Sequence, residues 1–295
     1  MIGLHATLAA SRFVYDAAVM FIFGSNSFVC LAAPRTLEST IMRRLETPML
    51  TAASLAAAAM LIWLPLQAAM IGGGWEHVFD TSIMFVLLDH TTVGHVWDAR
   101  ALLAMLLIIA AAALRPSPPL LILLSAGAII SLALAGHAMM DEGMRAVVHV
   151  VNHAVHVLAA AAWVGSLVPV LICLAALRNP AQHDKAALAL RRFSIMGHIA
   201  VALVVGTGAI DMVLVLGGLP VHWASPYQVL LTIKIALVAV MIVLALVNGY
   251  VSMPGIESGK DATIESMQRQ TIAELALAVC VIALVAVFGL LDPMP

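Results

Sequence analysis

The sequence predicts an all-α fold, a polytopic membrane bundle of eight transmembrane helices. Hydrophobic residues make up 63% of its 295 residues, and charged residues only 10%. Several apolar runs approach or exceed the roughly 20 residues that a helix needs to cross a bilayer. The net charge of −2 gives no basic surface of the kind that binds nucleic acid. The expected surroundings are therefore membrane lipids, with no nucleic-acid partner.

Connectors that contain proline and glycine separate the apolar runs and place the spans along the chain. Residues 75–94 interrupt this pattern, because they surround a short apolar segment with charged and histidine side chains. We expect a short interfacial helix there, between the second and third spans. The whole chain, 1–295, is expected to form a single membrane domain. The predicted spans are about 8–32, 49–71, 95–114, 118–137, 147–175, 194–218, 227–250 and 270–291.

The basic residues predict the orientation, because lysine and arginine accumulate in cytoplasmic connectors. The connectors between spans 1 and 2, 3 and 4, 5 and 6, and 7 and 8 hold ten of the 14 lysine and arginine residues, and the opposite connectors hold only Arg145. Both termini are therefore expected on the periplasmic side of a bacterial inner membrane. The ten residues are Arg35, Arg43, Arg44, Arg115, Arg178, Lys185, Arg191, Arg192, Lys260 and Arg269.

Histidines are concentrated at the predicted outer face, where nine of the 11 lie at or near a span end. His149, His153 and His156 lie within one arc of about 60° on the fifth span, at about 100° per residue. The first and last are about 10 Å apart along the helix axis, so one ion cannot contact all three, although an adjacent pair can share an ion. His95 and His137, at the outer ends of spans 3 and 4, are the expected further ligands.

The segment after span 4 adds methionines to these histidines. His137 is followed closely by Met139 and Met140. Thioether sulfur prefers Cu(I), whereas imidazole accepts Cu(I), Cu(II) or Zn(II), so the combination favours a copper ion. Two alternatives stay open: interfacial histidines also serve as polar caps, and methionine is a general apolar filler.

Two charged residues are predicted deep in the membrane. Asp211 in span 6 and Lys234 in span 7 each lie about eight residues, or about 12 Å, from the outer end of their span. Buried charges of opposite sign in a bilayer usually pair, so we expect these two to face each other. The pair is expected to be structural or to take part in ion or proton passage. Arg100, near the start of span 3, is expected to extend to the interface.

Several motifs, in this order and at this spacing, are similar to one known family. The resemblance covers spans 3 to 8 and the Arg12-Phe13 pair of span 1. It is to the CopD/PcoD family of bacterial inner-membrane copper-resistance proteins. The motifs are Thr91 to Arg100, Gly136-His137, His153 to Gly165, Arg192-Phe193-Ser194, Gly206-Thr207-Gly208, Pro226-Tyr227, Leu230 to Lys234, and Asn248.

The resemblance implies that the chain moves copper across the inner membrane and receives it from a periplasmic CopC-type copper-binding protein. No G-x-x-x-x-G-K-[ST] sequence is present, so transport is expected to be passive or coupled to an ion. We do not expect an enzyme. Two alternatives remain. One is a haem-b electron carrier with a single histidine-ligated haem at the outer face. The other is a membrane enzyme or sensor that holds copper without transporting it.

Overall fold

The computed structural model describes residues 2–134, 142–256 and 261–293, and these ranges are helical with no strand. Seven helices within them are long and apolar enough to cross a membrane. The prediction of an all-α polytopic membrane bundle is therefore confirmed. The helices are α1 (Ile2–Leu31), α2 (Arg35–Gly72), α3 (Thr81–His90), α4 (Thr92–Ala111), α5 (Pro118–Ala133), α6 (Gly143–Val164), α7 (Leu167–Ala176), α8 (His183–Leu216), α9 (Pro226–Val247), α10 (Met253–Ile256) and α11 (Asp261–Phe288), with a 3-10 turn at Trp75–His77 and a π-helical turn at Asn248–Ser252.

The predicted spans correspond in order to α1, α2, α4, α5, α6 with α7, α8, α9 and α11, but two helices are longer than expected. α2 begins at Arg35 rather than near residue 49, and α8 begins at His183 rather than near residue 194. The 38 residues of α2 correspond to about 57 Å, whereas the apolar core of a bilayer is about 30 Å thick. The additional turns carry basic residues such as Arg43 and Arg44, which a search for apolar runs leaves outside the spans.

The centre of the bundle is α1, which packs against α2, α5, α6 and α11. Its side chains Tyr15, Ile22 and Phe28 are almost completely buried. A helix with apolar residues on all sides is stable only inside a bundle or in lipid. α1 therefore forms the core around which the other helices are arranged.

The fifth predicted span consists of two helices, because the helix is interrupted at Gly165 and Ser166 between α6 and α7. α1 contacts this break directly: a Cβ atom on Gly24 would lie 2.5 Å from the Cα atom of Gly165. Two hydrogen bonds join the same backbones, from the Ser25 hydroxyl to the Gly165 carbonyl at 3.0 Å and from the Ser166 hydroxyl to the Gly24 carbonyl at 2.9 Å. Glycine at both positions allows the close approach that holds α6 at a fixed place on α1.

The predicted interfacial helix between spans 2 and 3 is α3. The Asp80 side chain caps its start by accepting from the backbone N–H groups of Ser82 and Ile83 at 3.1 and 3.2 Å. A hydrogen bond from the Ser82 hydroxyl, together with these backbone bonds, lowers the pKa of the Asp80 carboxyl. α3 packs against α2 and α4, so it lies at the same end of the bundle as the start of α4.

Arg100 is buried, contrary to the prediction that it extends to the interface. Its guanidinium donates to the hydroxyl and to the carbonyl oxygen of Ser131 near the end of α5, at 2.9 and 2.6 Å. The carboxyl group of Asp16 on α1 lies close enough to interact electrostatically with it. These polar partners on α5 and α1 remove the need for the side chain to reach water.

A cleft separates α8 from α9 in the described part of the chain. In the described ranges α8 packs against α6 and α7, whereas α9 packs against α11, so α8 and α9 do not pack closely on each other. The back of the cleft is formed by α6 and α11. Most of the polar side chains discussed below belong to these four helices.

Candidate functional site

His153 and His156 on α6 face α8, where each has a polar partner. The Nδ1 atom of His153 lies 2.8 Å from Oδ2 of Asp211, and Nδ1 of His156 lies 3.0 Å from the hydroxyl oxygen of Thr207. The two imidazole rings are stacked, with centroids 6.2 Å apart and an interplanar angle of 18°. The i,i+3 spacing therefore places both rings on the face predicted from the sequence.

The partners determine which nitrogen of each ring carries the proton. An ionised carboxylate only accepts, so Nδ1 of His153 donates to Asp211. The hydroxyl proton of Thr207 is donated to the Leu203 carbonyl at 2.5 Å, so Thr207 accepts from Nδ1 of His156. In each neutral ring the lone pair is then on Nε2, the nitrogen left to bind a metal. Histidine ligands of metals are usually oriented by such a bond from the other ring nitrogen.

Asn152 completes the contacts of Asp211. Its side-chain amide donates to Oδ1 of Asp211 at 2.6 Å and to the backbone carbonyl of Thr207 at 2.8 Å. Both carboxylate oxygens of Asp211 are thus occupied by donors from α6. Asn152 and Thr207 were not among the predicted site residues, although a polar residue inside a membrane helix is itself a signal of function.

Position 208 on α8, next to Thr207, requires a glycine because the His156 ring lies against it. A Cβ atom at this position would lie 3.2 Å from Cε1 of His156. A larger residue would push the ring away from Thr207. The Gly206-Thr207-Gly208 motif thereby supplies both the acceptor for His156 and the space for its ring.

Asp211 and Lys234 do not form the direct ion pair that was predicted. No carboxylate in the described part of the chain lies within 4 Å of the Lys234 ammonium, which is instead 5.9 Å from the centroid of the Phe288 ring. The reason is the packing: α8 presents Asp211 to α6, whereas α9 carries Lys234 toward α11. Lys234 still interacts electrostatically with Asp211 and His156 at longer range, so it belongs to the same polar cluster.

The other predicted ligands lie elsewhere. His149 is buried near the start of α6, one turn from His153. His95 is exposed on α4, which packs against α2, α3 and α5. His137, Met139 and Met140 lie outside the described residues. Among the described residues, no three His, Cys, Asp or Glu side chains converge closely enough to hold a metal ion. His153 and His156 are therefore a pair of candidate ligands whose further partners stay predictions.

Comparisons with known proteins agree with the sequence motifs. Residues 1–147 match the family model "Copper resistance protein D-like, N-terminal domain", and residues 187–288 match the family model "Copper resistance protein D". The second match includes Thr207, Asp211 and Lys234. No solved structure matches the chain.

Curated relatives cover most or all of the chain. It is 33% identical to "Inner membrane protein YebZ" of Escherichia coli (strain K12) over 98% of its length and 99% of that protein. It is 32% identical to "Copper resistance protein D" of Pseudomonas syringae pv. tomato over 58% of each chain. "Copper transport protein CutJ" of Bacillus subtilis (strain 168) is 25% identical over 99% of the chain, which spans 54% of that longer relative.

Proposed function

Because the chain belongs to the copper resistance protein D family, we propose that it binds copper at the His153–His156 pair and moves the ion across the inner membrane. The observation that carries the proposal is the arrangement of these two rings. Both donate from Nδ1 to partners on α8, and this leaves Nε2 of each ring as a ligand. Imidazole nitrogen is a good ligand for either oxidation state of copper.

The names of the relatives support copper as the transported substrate. Two of them are named for copper resistance and copper transport. The haem-b alternative has no such support, and a Soret absorption band in the purified protein would be needed to revive it. A role as an enzyme has no support in these names either.

Two imidazoles do not complete a copper site, since three or four ligands are usual for a metal in a protein. We propose that His137, Met139 and Met140 supply the rest, with His95 as a further candidate. His149 is the alternative partner of His153, because one ion cannot contact all three histidines of α6. The basic residues support an orientation in which this end of α6 faces the periplasm. A CopC-type copper-binding protein is the donor that the family resemblance implies.

The proposal is tested by metal analysis of the purified protein loaded with copper. His153→Ala is expected to lower the bound copper more than His149→Ala, because His153 can share an ion with either neighbour. His183→Ala is the matched control, since His183 begins α8 at the far end and contacts the Leu177 carbonyl at 2.9 Å. Unchanged copper content in a folded His153→Ala variant would refute the site. Copper uptake into proteoliposomes, lost in the same variant, tests transport.

A further inference from the structure

A cavity of about 90 Å³ lies between α8 and α9, away from the histidine pair. Its walls are formed by α6, α7, α8, α9, the π-helical turn, α10 and α11. A volume near 90 Å³ is comparable to that of about three water molecules. The polar and sulfur-containing residues in its lining are Ser194, His198, Asn248, Met253, Met267, Thr271 and Glu274.

His198 presents an unused lone pair at this cavity. Its Nδ1 atom lies 2.5 Å from the backbone carbonyl oxygen of Ser194. A carbonyl oxygen only accepts, so Nδ1 carries the proton and the lone pair of the neutral ring is on Nε2. Nε2 is buried and has no hydrogen-bond partner. This is the arrangement that orients a metal-binding imidazole, with one nitrogen donating to a carbonyl and the other free.

Glu274 and Asn248 add further acceptors. The Glu274 side chain is 3% exposed, and its Oε1 atom accepts from the amide of Asn248 at 2.7 Å. Oδ1 of Asn248 is buried without a partner. No lysine or arginine in the described ranges forms an ion pair with Glu274. The cavity therefore has two buried acceptors without a donor, Nε2 of His198 and Oδ1 of Asn248, beside a carboxylate that is hydrogen-bonded to Asn248 and Trp163. A cation would pair with all three groups.

The backbone beside His198 is unusual. Asn248 and Gly249 begin the π-helical turn, a rare conformation that often occurs at functional sites. A Cβ atom on Gly249 would lie 3.1 Å from Cε1 and 3.6 Å from Nε2 of His198. The glycine thus keeps the space next to the unpartnered nitrogen open.

We propose that this cavity is a second, inner copper site, at which Cu(I) is bound by His198 Nε2, the Glu274 carboxylate and a thioether of Met253 or Met267. The excess of acceptors points to a cation. Imidazole and thioether ligands distinguish copper from sodium, potassium or magnesium, which prefer oxygen ligands. This inference rests on the proposed transport function, because the inner site would bind the ion after the outer histidines release it.

The position of the cavity fits such a step. Along α8, His198 lies nine residues from Thr207, which corresponds to about 14 Å. Along α6, Trp163 at the cavity lies seven residues from His156, or about 10 Å. The two sites are therefore separated by about the same distance along α6 and α8, and one ion cannot contact both.

The test is titration of the purified full-length protein in lipid nanodiscs with Cu(I), under ascorbate, against a colorimetric Cu(I) chelator. The wild type is expected to bind two equivalents. His198→Ala is expected to lose one, with an affinity for that ion weaker by at least about 100-fold. Glu274→Gln keeps an acceptor for Asn248 but removes the charge, and it is expected to weaken binding of the same ion. Gly249→Ala puts a methyl group beside Nε2 and is also expected to weaken binding of this ion.

His183→Ala on the same helix is the control, and thermal unfolding identifies any variant that fails to fold. The two proposals fail differently. Loss of one equivalent in His153→Ala with both retained in folded His198→Ala, Glu274→Gln and Gly249→Ala would overturn the inner site and leave the outer one. Loss of one equivalent in His198→Ala, with both equivalents retained in His153→Ala, would overturn the outer site instead. Binding of sodium or potassium at the cavity with no effect of His198→Ala on Cu(I) would also refute the inner site.

Discussion

Replacing Asp211 with asparagine is predicted to change the protonated nitrogen of His153 and thereby weaken copper binding. In the wild type the carboxylate accepts from Asn152 at 2.6 Å and from His153 Nδ1 at 2.8 Å. An asparagine amide has an NH2 group in place of one carboxylate oxygen, so this group must face one of the two donors. If its NH2 group faces His153, Nδ1 must become the acceptor and the proton moves to Nε2, which then cannot bind a metal.

The size of the effect follows from the bonds lost. A hydrogen bond to a charged group contributes about 1.5–3 kcal/mol. Loss of a residue that orients a metal-bound histidine typically weakens metal affinity by about 10–100-fold. Asp211→Asn is therefore expected to weaken the outer copper site by a factor in this range. Asn152→Ala removes one donor but leaves the hydrogen bond between Asp211 and His153, and it is expected to have a smaller effect on copper affinity.

Two measurements check this prediction. Chelator competition gives the copper affinity, and ¹⁵N chemical shifts of the histidine rings report which nitrogen is protonated. Because Lys234 forms no direct ion pair with Asp211, adding Lys234→Met to Asp211→Asn is not expected to restore affinity or stability. Wild-type copper affinity in folded Asp211→Asn, or a His153 ring with its proton on Nε2 in the metal-free wild type, would contradict this role of Asp211.

Three further predictions concern the site, the packing and the topology. Thr207→Val removes the acceptor for His156 and is expected to weaken copper binding about tenfold, whereas Thr207→Ser should retain it in the same chelator assay. Gly24→Ala, whose Cβ atom would lie 2.5 Å from Gly165, is expected to destabilise the protein by about 1–3 kcal/mol. Gly206→Ala meets no atom within 4 Å and should leave the thermal unfolding midpoint unchanged or raise it. Ser39→Cys, in a cysteine-free background, should react with impermeant thiol reagents only after the cells are opened; labelling of intact cells would reverse the orientation.

The fold was largely predictable because the bilayer restricts what the sequence can do. Apolar runs located the seven helices that are long enough to cross a membrane and the shorter α5, and the polar stretch at 75–94 located α3. The start of α2 at Arg35 was missed because charged turns can continue a helix beyond the membrane without an apolar signal. The break at Gly165 was also missed. It depends on contact with Gly24, which lies 141 residues away in the sequence, so no local pattern contains it.

The site was only partly predictable. The stripe of His153 and His156 follows from helical periodicity, and the structure places both rings on one face as expected. The predicted partner of Asp211 was wrong, because the consecutive helices α8 and α9 do not pack closely on each other. α9 instead packs on α11, so Asp211 meets α6. Glu274 carried a readable signal, an acidic residue inside an apolar helix, but its connection to His198 and Asn248 required the tertiary structure.

The charges along the cleft favour one oxidation state of copper over the other. Asp211 and Lys234 have opposite formal charges, so this pair of residues adds no net charge to the outer cluster before an ion binds. The cost of burying an ion in a medium of low dielectric constant rises with the square of its charge. Cu(II) would therefore have to overcome about four times the desolvation cost of Cu(I) beside the Lys234 ammonium. The single carboxylate of Glu274 at the inner cavity compensates one positive charge and not two. The two proposed sites are thus better matched to Cu(I) than to Cu(II).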